Sequence, residues 1–574
     1  MEKRWSIKAA GDEAKINQLV LELGIDRMLA NLLVQRGIGS FDDARKFFRP
    51  SLSDLHNPFL MKDMDKAIAR LDKAVNTHEK ILVYGDYDVD GTTAVSLVYS
   101  FLGKLTAAKG KENLVDYYIP DRYSEGYGIS FQGIDFAKEN NFTLIIALDC
   151  GIKANDKVDY ANERGIDFII CDHHRPGDAL PNAIAVLDPK RSDCSYPFDE
   201  LCGCGVGFKL IQAYTQKNNI AFENLTEYLD LTAISIASDL VPIIDENRIL
   251  CYFGLQEINK NPRKGIKSIL ELANVKKTVG INELIFTIGP RINAAGRIQT
   301  GRNAVKLLIS IDHEQAKTSG ININITNTER RALDLTITQQ ALNMIDNDQE
   351  LQNRKSTVLF HTDWHKGVIG IVASRLIEKY YRPTIVLTES DGKATGSARS
   401  VKDFDVYNAI AACSDLLEQF GGHKYAAGLT LKLENIEAFQ QRFEEVVSST
   451  IEDHLLIPEI EIDAELELKA ITPKFYRILK QFEPFGPENM APVFITKGLA
   501  DKGYVRIVGN NHLKMDLYHP QNSSESFSSI AYGQAYHFDD VLRKKLLSAC
   551  YAIEENEFNG RTSLQLNIKD LKIE

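Results

Sequence analysis

The chain contains no run of about 18 apolar residues, so no membrane-spanning helix is expected. Residues 1–15 (MEKRWSIKAAGDEAK) hold no apolar core of the kind a secretory leader needs, so none is expected there. Cysteine is sparse, with eight among 574 residues and none in a CxxC pair. Cys202 and Cys204 stand two apart, which suits no common zinc spacing. The expectation is a cytoplasmic protein with reduced thiols. Positive charge is also short: 67 Lys and Arg against 79 Asp and Glu leave a net charge of −12. That argues against nucleic-acid binding over the whole surface, and leaves room for a local basic groove. No internal repeat and no low-complexity tract is found.

What remains is ordinary globular composition, 44% apolar and 25% charged. The length suits about three to five domains. Residues 1–50 read as helical and polar. From about residue 80, short apolar runs follow one another: ILVYG (81–85), LVDYYI (114–119), TLIIAL (143–148), IDFII (166–170) and AIAVL (183–187). Helical stretches lie between them. This alternation predicts βαβ units and a parallel sheet with both faces covered. Ligands of such sheets bind beyond the carboxyl ends of the strands. Residues 205–260 read as helices, and 314–346 as one long polar helix, suited to spacing two domains. A second α/β block follows, with strands near 356–360 and 383–388. From 459 the pattern turns to short alternating strands, which predict a small β-barrel. The expected domains are 1–50, 51–310 (catalytic), 311–350 (connecting helix), 351–455 (smaller α/β) and 456–574 (barrel).

Four of the five apolar runs lead into acids or histidines. The first leads to Asp86, Asp88 and Asp90 in GDYDVDG, and the second to Asp121 and Arg122 in IPDRYSEGYG. The third leads to Asp149 in LDCG, and the fourth to Asp172, His173 and His174 in CDHH. Asp239 follows LTAISIAS. Taken singly, each has a plain explanation: a solvated turn, a surface histidine pair, a helix cap. Their shared place after successive strands outweighs this. Carboxylates converging at one sheet edge repel one another and are costly to desolvate, and a divalent cation removes that cost. Oxygen ligands with imidazole suit Mn²⁺ or Mg²⁺, and so many acids suit two ions bridged by one carboxylate.

GDYDVDG, LDCG, CDHH and SIASDLVP, in that order, resemble the successive motifs of the DHH phosphoesterase superfamily. GPRINAAGRI, DWHKGVIGIVASRL, GSARS and FGGHKYAAGLT extend the resemblance into the DHHA1 domain. EPFGPENMAPVF and the β-rich tail narrow it to the branch that degrades single-stranded DNA from the 5′ end. The resemblance covers the chain from about residue 50 onward. It implies a parallel-sheet DHH domain, a long connecting helix, a smaller α/β DHHA1 domain and a C-terminal OB-like barrel.

It also implies roles. Asp88, Asp90, Asp149, His173 and Asp239 would hold two ions, with Asp149 as the bridge and Asp86 as a further ligand. His174 would face the phosphate and Asp172 would orient an imidazole. One position departs from the pattern: many DHH enzymes carry a histidine where this chain has Tyr84, so the first ion would lean on Asp86. The reaction implied is two-metal hydrolysis of phosphodiesters to 5′-mononucleotides, in recombination and repair, with no covalent protein nucleophile. Arg122, Arg291 and Arg297 suit phosphate oxygens. Ser397, Arg399, Gly422 and His423, in glycine-rich stretches read as turns, would take the terminal nucleotide and its 5′ end. Tyr127 is a candidate platform for base stacking, and Trp364 reads as a packing residue. From 454 to 574 there are 14 Lys and Arg against 17 Asp and Glu, so a groove there is local. Lys502, Arg506, Lys514 and Arg561, with Tyr504 or Phe558, are its candidates.

Two other readings stand beside this one. The first is a phosphodiesterase for short oligonucleotides or cyclic dinucleotides; its relatives often lack the barrel. The second is an inactive scaffold that only binds DNA; such scaffolds lose metal-binding acids, which this chain keeps. The family implies a single-strand binding protein and a helicase as partners, and nothing in the sequence calls for an oligomer.

Overall fold

The computed structural model describes residues 2–558 and 560–574, and the Phe558 side chain lies outside that description. Two compact units are present. One comprises Arg49–Ala332 and Glu483–Met490; the other comprises residues up to Phe48, Leu333–Phe482 and Ala491–Glu574.

The first unit is built on a five-stranded sheet. Its strands are β1 (Lys80–Gly85), β2 (Val115–Tyr118), β3 (Phe142–Leu148), β4 (Asp167–Cys171) and β5 (Ala185–Leu187). The spatial order is β2-β1-β3-β4-β5 and every pairing is parallel. Both faces are buried. Ile81, Val83, Leu144, Ile146 and Leu148 enter one apolar cluster, while Leu82, Tyr84, Ile145 and Ala147 enter the other. This explains why these strands read as unbroken apolar runs. Helix α1 (Val89–Ala108) follows β1 and is apolar nearly all round, since it sits within the core. Helices α2 (Gly203–Lys217) and α3 (Leu229–Asp239) are buried likewise and pack against α1.

Helix α4 (Gly289–Ile298) precedes the long helix α5 (His313–Asp346), within which the division between the two units falls. In the second unit, Asp334 of α5 pairs with Arg375.

The second unit holds a five-stranded mixed sheet of β6 (Thr357–His361), β7 (Thr384–Ser390), β8 (Lys393–Arg399), β9 (Gln419–His423) and β10 (Ala426–Lys432). Its order is β9-β10-β8-β7-β6. Helix α6 (Ile369–Lys379) packs on β7 and β8. The tail forms a seven-stranded sheet that closes on itself through pairing of Phe494–Asp501 with His512–His519, which makes it a barrel.

Residues 1–50 are not wholly helical. Arg4–Ile7 is a strand, paired in parallel with Glu459–Ile462. Trp5 anchors it, donating from Nε1 to Asp570 Oδ2 of the barrel at 2.8 Å.

Candidate metal centre

The carboxyl edge of the first sheet delivers the acids. Asp86 directly follows β1. Asp88 caps α1, its Oδ1 accepting from the Gly91 N–H at 3.0 Å, and Asp90 lies in the first turn. Negative charge is favoured at that helix end. Asp149 follows β3 with φ of 58°, a left-handed conformation that aspartate tolerates better than most residues. Asp172, His173 and His174 follow β4, and Asp239 ends α3.

These residues meet. His173 Nε2 lies 3.2 Å from Asp149 Oδ1, 3.6 Å from Asp90 Oδ2 and 3.7 Å from Asp239 Oδ2. Two ligand groups result, Asp149–His173–His174 and Asp90–His173–Asp239, sharing His173. Asp86 and Asp88 stand outside these two groups, yet their charges act on Asp149. Asp172 Oδ1 takes the His174 Nδ1–H at 2.8 Å and the backbone N–H of His173, also at 2.8 Å. Its Oδ2 takes the Ile152 N–H at 2.9 Å.

The electrostatics are those of crowded anions. Burial, and then neighbouring carboxylates, hold Asp86, Asp88, Asp149 and Asp239 above the usual carboxylate range. Among the described residues, the only ion-pair partners of Asp90, Asp149 and Asp239 are the two histidines, and no Lys or Arg pairs with Asp86 or Asp88. The buried Asp86 Oδ2 has no hydrogen-bond partner. Burial also opposes charge on Asp172, but the His174 hydrogen bond prevails and brings it down to about 2. Burial would lower His174; its bond to Asp172 and the charges of Asp172, Asp239 and Asp90 raise it to about 9. Burial keeps His173 below its ordinary value, as an imidazole ligand requires. Carboxylates with no Lys or Arg partner, joined by the neutral His173 imidazole, fit hard divalent cations.

Tyr84 is not part of this set. It is fully buried, stacks on Tyr118, donates to the Gly128 carbonyl at 3.0 Å and accepts from the Ser130 N–H at 3.1 Å. It holds the 128–130 loop in place.

A rim of aromatics and arginines adjoins the acids. Tyr127 is 57% exposed, with its hydroxyl 3.4 Å from His174 Nε2 and its ring edge-on to Tyr87. Arg122 lies over the Tyr87 ring at 4.9 Å. Tyr123 donates from its hydroxyl to the Arg297 carbonyl. Arg122 and Arg297 both act on the Tyr87 hydroxyl, as do Asp86 and Asp88. Arg291 is held differently, donating to the Thr287 carbonyl at 2.8 Å and to Asn324 Oδ1 at 3.1 Å; its charged neighbours are Arg331 and Arg330.

In the second unit GSARS is not a turn. It runs along β8, between β7 and β10. Gly422 and His423 close β9, where they pair with Ala427 and Ala426, and Ala426 in turn pairs with Arg399. Arg399 Nη1 donates to Ser397 Oγ at 3.0 Å and to the Ala398 carbonyl at 2.7 Å. A Cβ on Gly370, in the first turn of α6, would sit 2.9 Å from both Arg399 Nη2 and Ser397 Oγ. A helix start, a hydroxyl and a guanidinium thus meet in one place, which suits an anion. Trp364 is buried, stacked on His361 and bonded to Gln340, as a packing residue is. In the barrel, Arg506 pairs across strands with Lys514, and Tyr504 is 60% exposed.

Family models match three stretches: "DHH family, N-terminal domain" at residues 80–236, "DHHA1 domain" at 353–449 and "RecJ OB domain" at 462–570. The single-stranded-DNA-specific exonuclease RecJ of Bacillus subtilis (strain 168) is 37% identical over 99% of this chain and 71% of its own length. The chain belongs to the RecJ family. RecJ of Escherichia coli (strain K12) is 32% identical, over 95% of both chains. The crystal structure of RecJ in complex with Mn²⁺ from Thermus thermophilus has a TM-score of 0.84 and 27% identity, covering 99% of this chain and 79% of that one. The parallel-sheet, DHHA1 and barrel architecture is therefore that of RecJ.

Several residues around this RecJ centre escaped the sequence reading. Asp188 directly follows β5, so the fifth apolar run also leads to an acid. It is fully buried, its Oδ2 is unpartnered, and burial, with help from Asp172, raises it to about 7. Tyr87 lay unremarked inside GDYDVDG. Asp90 is held by the Gly203 and Cys204 N–H groups and by Ser235. The glycine-rich start of α2 was the available signal for the first two; for Ser235 there was none.

Proposed function

We propose that this RecJ-family chain is a metal-dependent exonuclease that degrades single-stranded DNA from its 5′ end to 5′-mononucleotides, in recombination and repair. The observation that carries the reading is the convergence of buried Asp90, Asp149 and His173 with the more exposed Asp239, and with Asp86 and Asp88 standing beside them, without Lys or Arg partners. Asp88, Asp90, Asp149, His173 and Asp239, with Asp86 as a further ligand, would hold two Mn²⁺ or Mg²⁺ ions. The ions supply Lewis-acid neutralisation of the phosphodiester and a competent nucleophile at neutral pH.

The chain's own groups do the rest. Asp172 keeps His174 protonated and aimed, so its imidazolium can donate to a phosphate oxygen. Arg122 and Arg297 hold phosphates at the rim, and Tyr127 offers its face to a base. Arg291 is a more distant phosphate contact. Ser397 and Arg399, beside Gly370, take the 5′ phosphate, with Gly422 and His423 at the neighbouring hairpin. The barrel holds downstream DNA, which favours long strands over short oligonucleotides or cyclic dinucleotides. The retained acids favour catalysis over an inert scaffold. A monomer in the cytoplasm, working with a single-strand binding protein and a helicase, completes the reading; no helix of the described residues is long and apolar enough to cross a membrane.

The test is digestion of long single-stranded DNA labelled at either end, with Mn²⁺ or Mg²⁺, for wild type and Asp149→Ala. The 5′ label should appear at once as a mononucleotide while the 3′ label stays on long strands, and the variant should be inert. Consumption of only short oligomers, or retention of DNA without cutting, would overturn the reading.

A further inference from the structure

Asp90 is the most completely braced of the candidate metal-ligand acids. Its Oδ1 accepts two hydrogen bonds, from the Cys204 N–H at 2.7 Å and from the Ser235 hydroxyl at 2.6 Å. Its Oδ2 accepts one, from the Gly203 N–H at 2.7 Å. A carboxylate oxygen offers about two lone-pair directions. Oδ1 thus has both engaged, while Oδ2 keeps one. Oδ2 is also the atom that faces His173 Nε2, in the group shared with Asp239.

The two backbone donors belong to the closely packed start of α2. A Cβ on Gly203 would lie 2.6 Å from the Asp149 Cβ, so the start of α2 is pressed onto Asp149 while it caps Asp90. The Ser235 hydroxyl is the one side-chain donor in the brace. It is fully buried, 3.0 Å from Cys202 Sγ, and one turn before Asp239 on α3. The helix that delivers Asp239 therefore also fixes Asp90.

We infer that Ser235 is a positioning residue that confines Asp90 to one-oxygen ligation through Oδ2, and so sets the centre's preference for small six-coordinate cations over Ca²⁺. Ca²⁺ takes six to eight oxygens and often uses both oxygens of a carboxylate. Mg²⁺ demands near-ideal octahedral geometry, which one-oxygen carboxylates supply. An Oδ1 already filled by two donors is closed to two-oxygen ligation.

The inference rests on the metal-centre reading above, and calorimetry on the full-length, metal-free protein separates the two. Mn²⁺ and Ca²⁺ affinities are measured for wild type, Ser235→Ala and Ser235→Thr, with melting in EDTA as the check on folding. Wild type should bind Mn²⁺ more tightly than Ca²⁺. Ser235→Ala should lose about 10- to 100-fold in Mn²⁺ affinity, the usual effect of removing an outer hydrogen-bond partner. Its Ca²⁺ affinity should hold or rise, so the Mn²⁺/Ca²⁺ ratio narrows by at least about tenfold. Ser235→Thr, which keeps the hydroxyl, should keep the ratio. An unchanged ratio in Ser235→Ala, or an equal loss in Ser235→Thr, overturns the inference. Wild type that binds neither cation overturns the metal-centre reading itself. If Ser235→Ala does not fold, Ser235→Cys, a weaker donor of similar size, carries the same expectation.

Discussion

Replacing Asp149 with asparagine should stabilise the metal-free protein while abolishing hydrolysis. Asp149 is buried, and Asp90, Asp88, Asp239 and Asp86 all oppose its charge. Its left-handed φ of 58° suits asparagine equally well, so the backbone loses nothing. One like charge at about 5–6 Å costs about 3 kcal/mol at an effective dielectric near 20. The contact with His173 at 3.2 Å offsets part of this. A net gain of about 1–3 kcal/mol at neutral pH is expected. The sign of its pH dependence follows from linkage. A carboxyl held above its unfolded value destabilises nothing below the unfolded value near 3.8. Above that, its penalty grows by about 1.4 kcal/mol per pH unit until the folded carboxyl itself ionises. The advantage of asparagine should therefore be near zero at about pH 4 and rise toward neutrality. Urea denaturation in EDTA, across that range, measures it. Saturating Mn²⁺ should then reverse the order, since about a thousandfold excess over Kd stabilises wild type by about 4.1 kcal/mol. A variant less stable than wild type in EDTA, or a difference that stays flat with pH, would refute the crowded-anion account.

Three further outcomes are expected. Asp172→Asn should drop His174 from about 9 to near or below its ordinary 6.5, read by imidazole NMR on metal-free protein. That raised value contributes stability present below about pH 6.5 and lost as pH climbs through about 9, so the stability gap between the two proteins should narrow above that; a His174 still titrating near 9 in the variant would count against the Asp172 bond. Arg399→Ala should raise KM for 5′-phosphorylated strands by about tenfold or more with kcat nearly kept, and Arg399→Lys should recover only part, because the planar fork is lost; equal losses on 5′-hydroxyl strands would sink the assignment. Tyr127→Ala should cost about 1–3 kcal/mol in strand binding, whereas Tyr127→Phe should retain most of it; equal losses would shift the role from the ring to the hydroxyl near His174.

The sheet and its acids were legible because both faces of a parallel sheet are dry. That makes β1, β3 and β4 read as unbroken apolar runs, and the acids and histidines of the candidate centre stand directly behind them. Asp188 obeys the same rule, but a single acid before proline has the look of a turn. GSARS shows the reverse error. Gly396 is there because a Cβ would meet Leu387 at 2.4 Å, a packing demand inside a central strand, but glycine and serine in sequence look like a turn. Ser235 was illegible in principle: it sits in an apolar helical run, and its partner lies 145 residues away in the chain. The strand Arg4–Ile7 was hidden for the same reason, since its partner begins at Glu459.

The residues of the candidate metal centre come from the ends of three strands, the start of one helix and the end of another, spread from Asp86 to Asp239. None of these segments alone assembles either ligand group, because His173 belongs to both and Asp239 closes one of them. A chain still emerging from the ribosome therefore lacks the Asp90–His173–Asp239 group until α3 has been made and has docked beside the sheet.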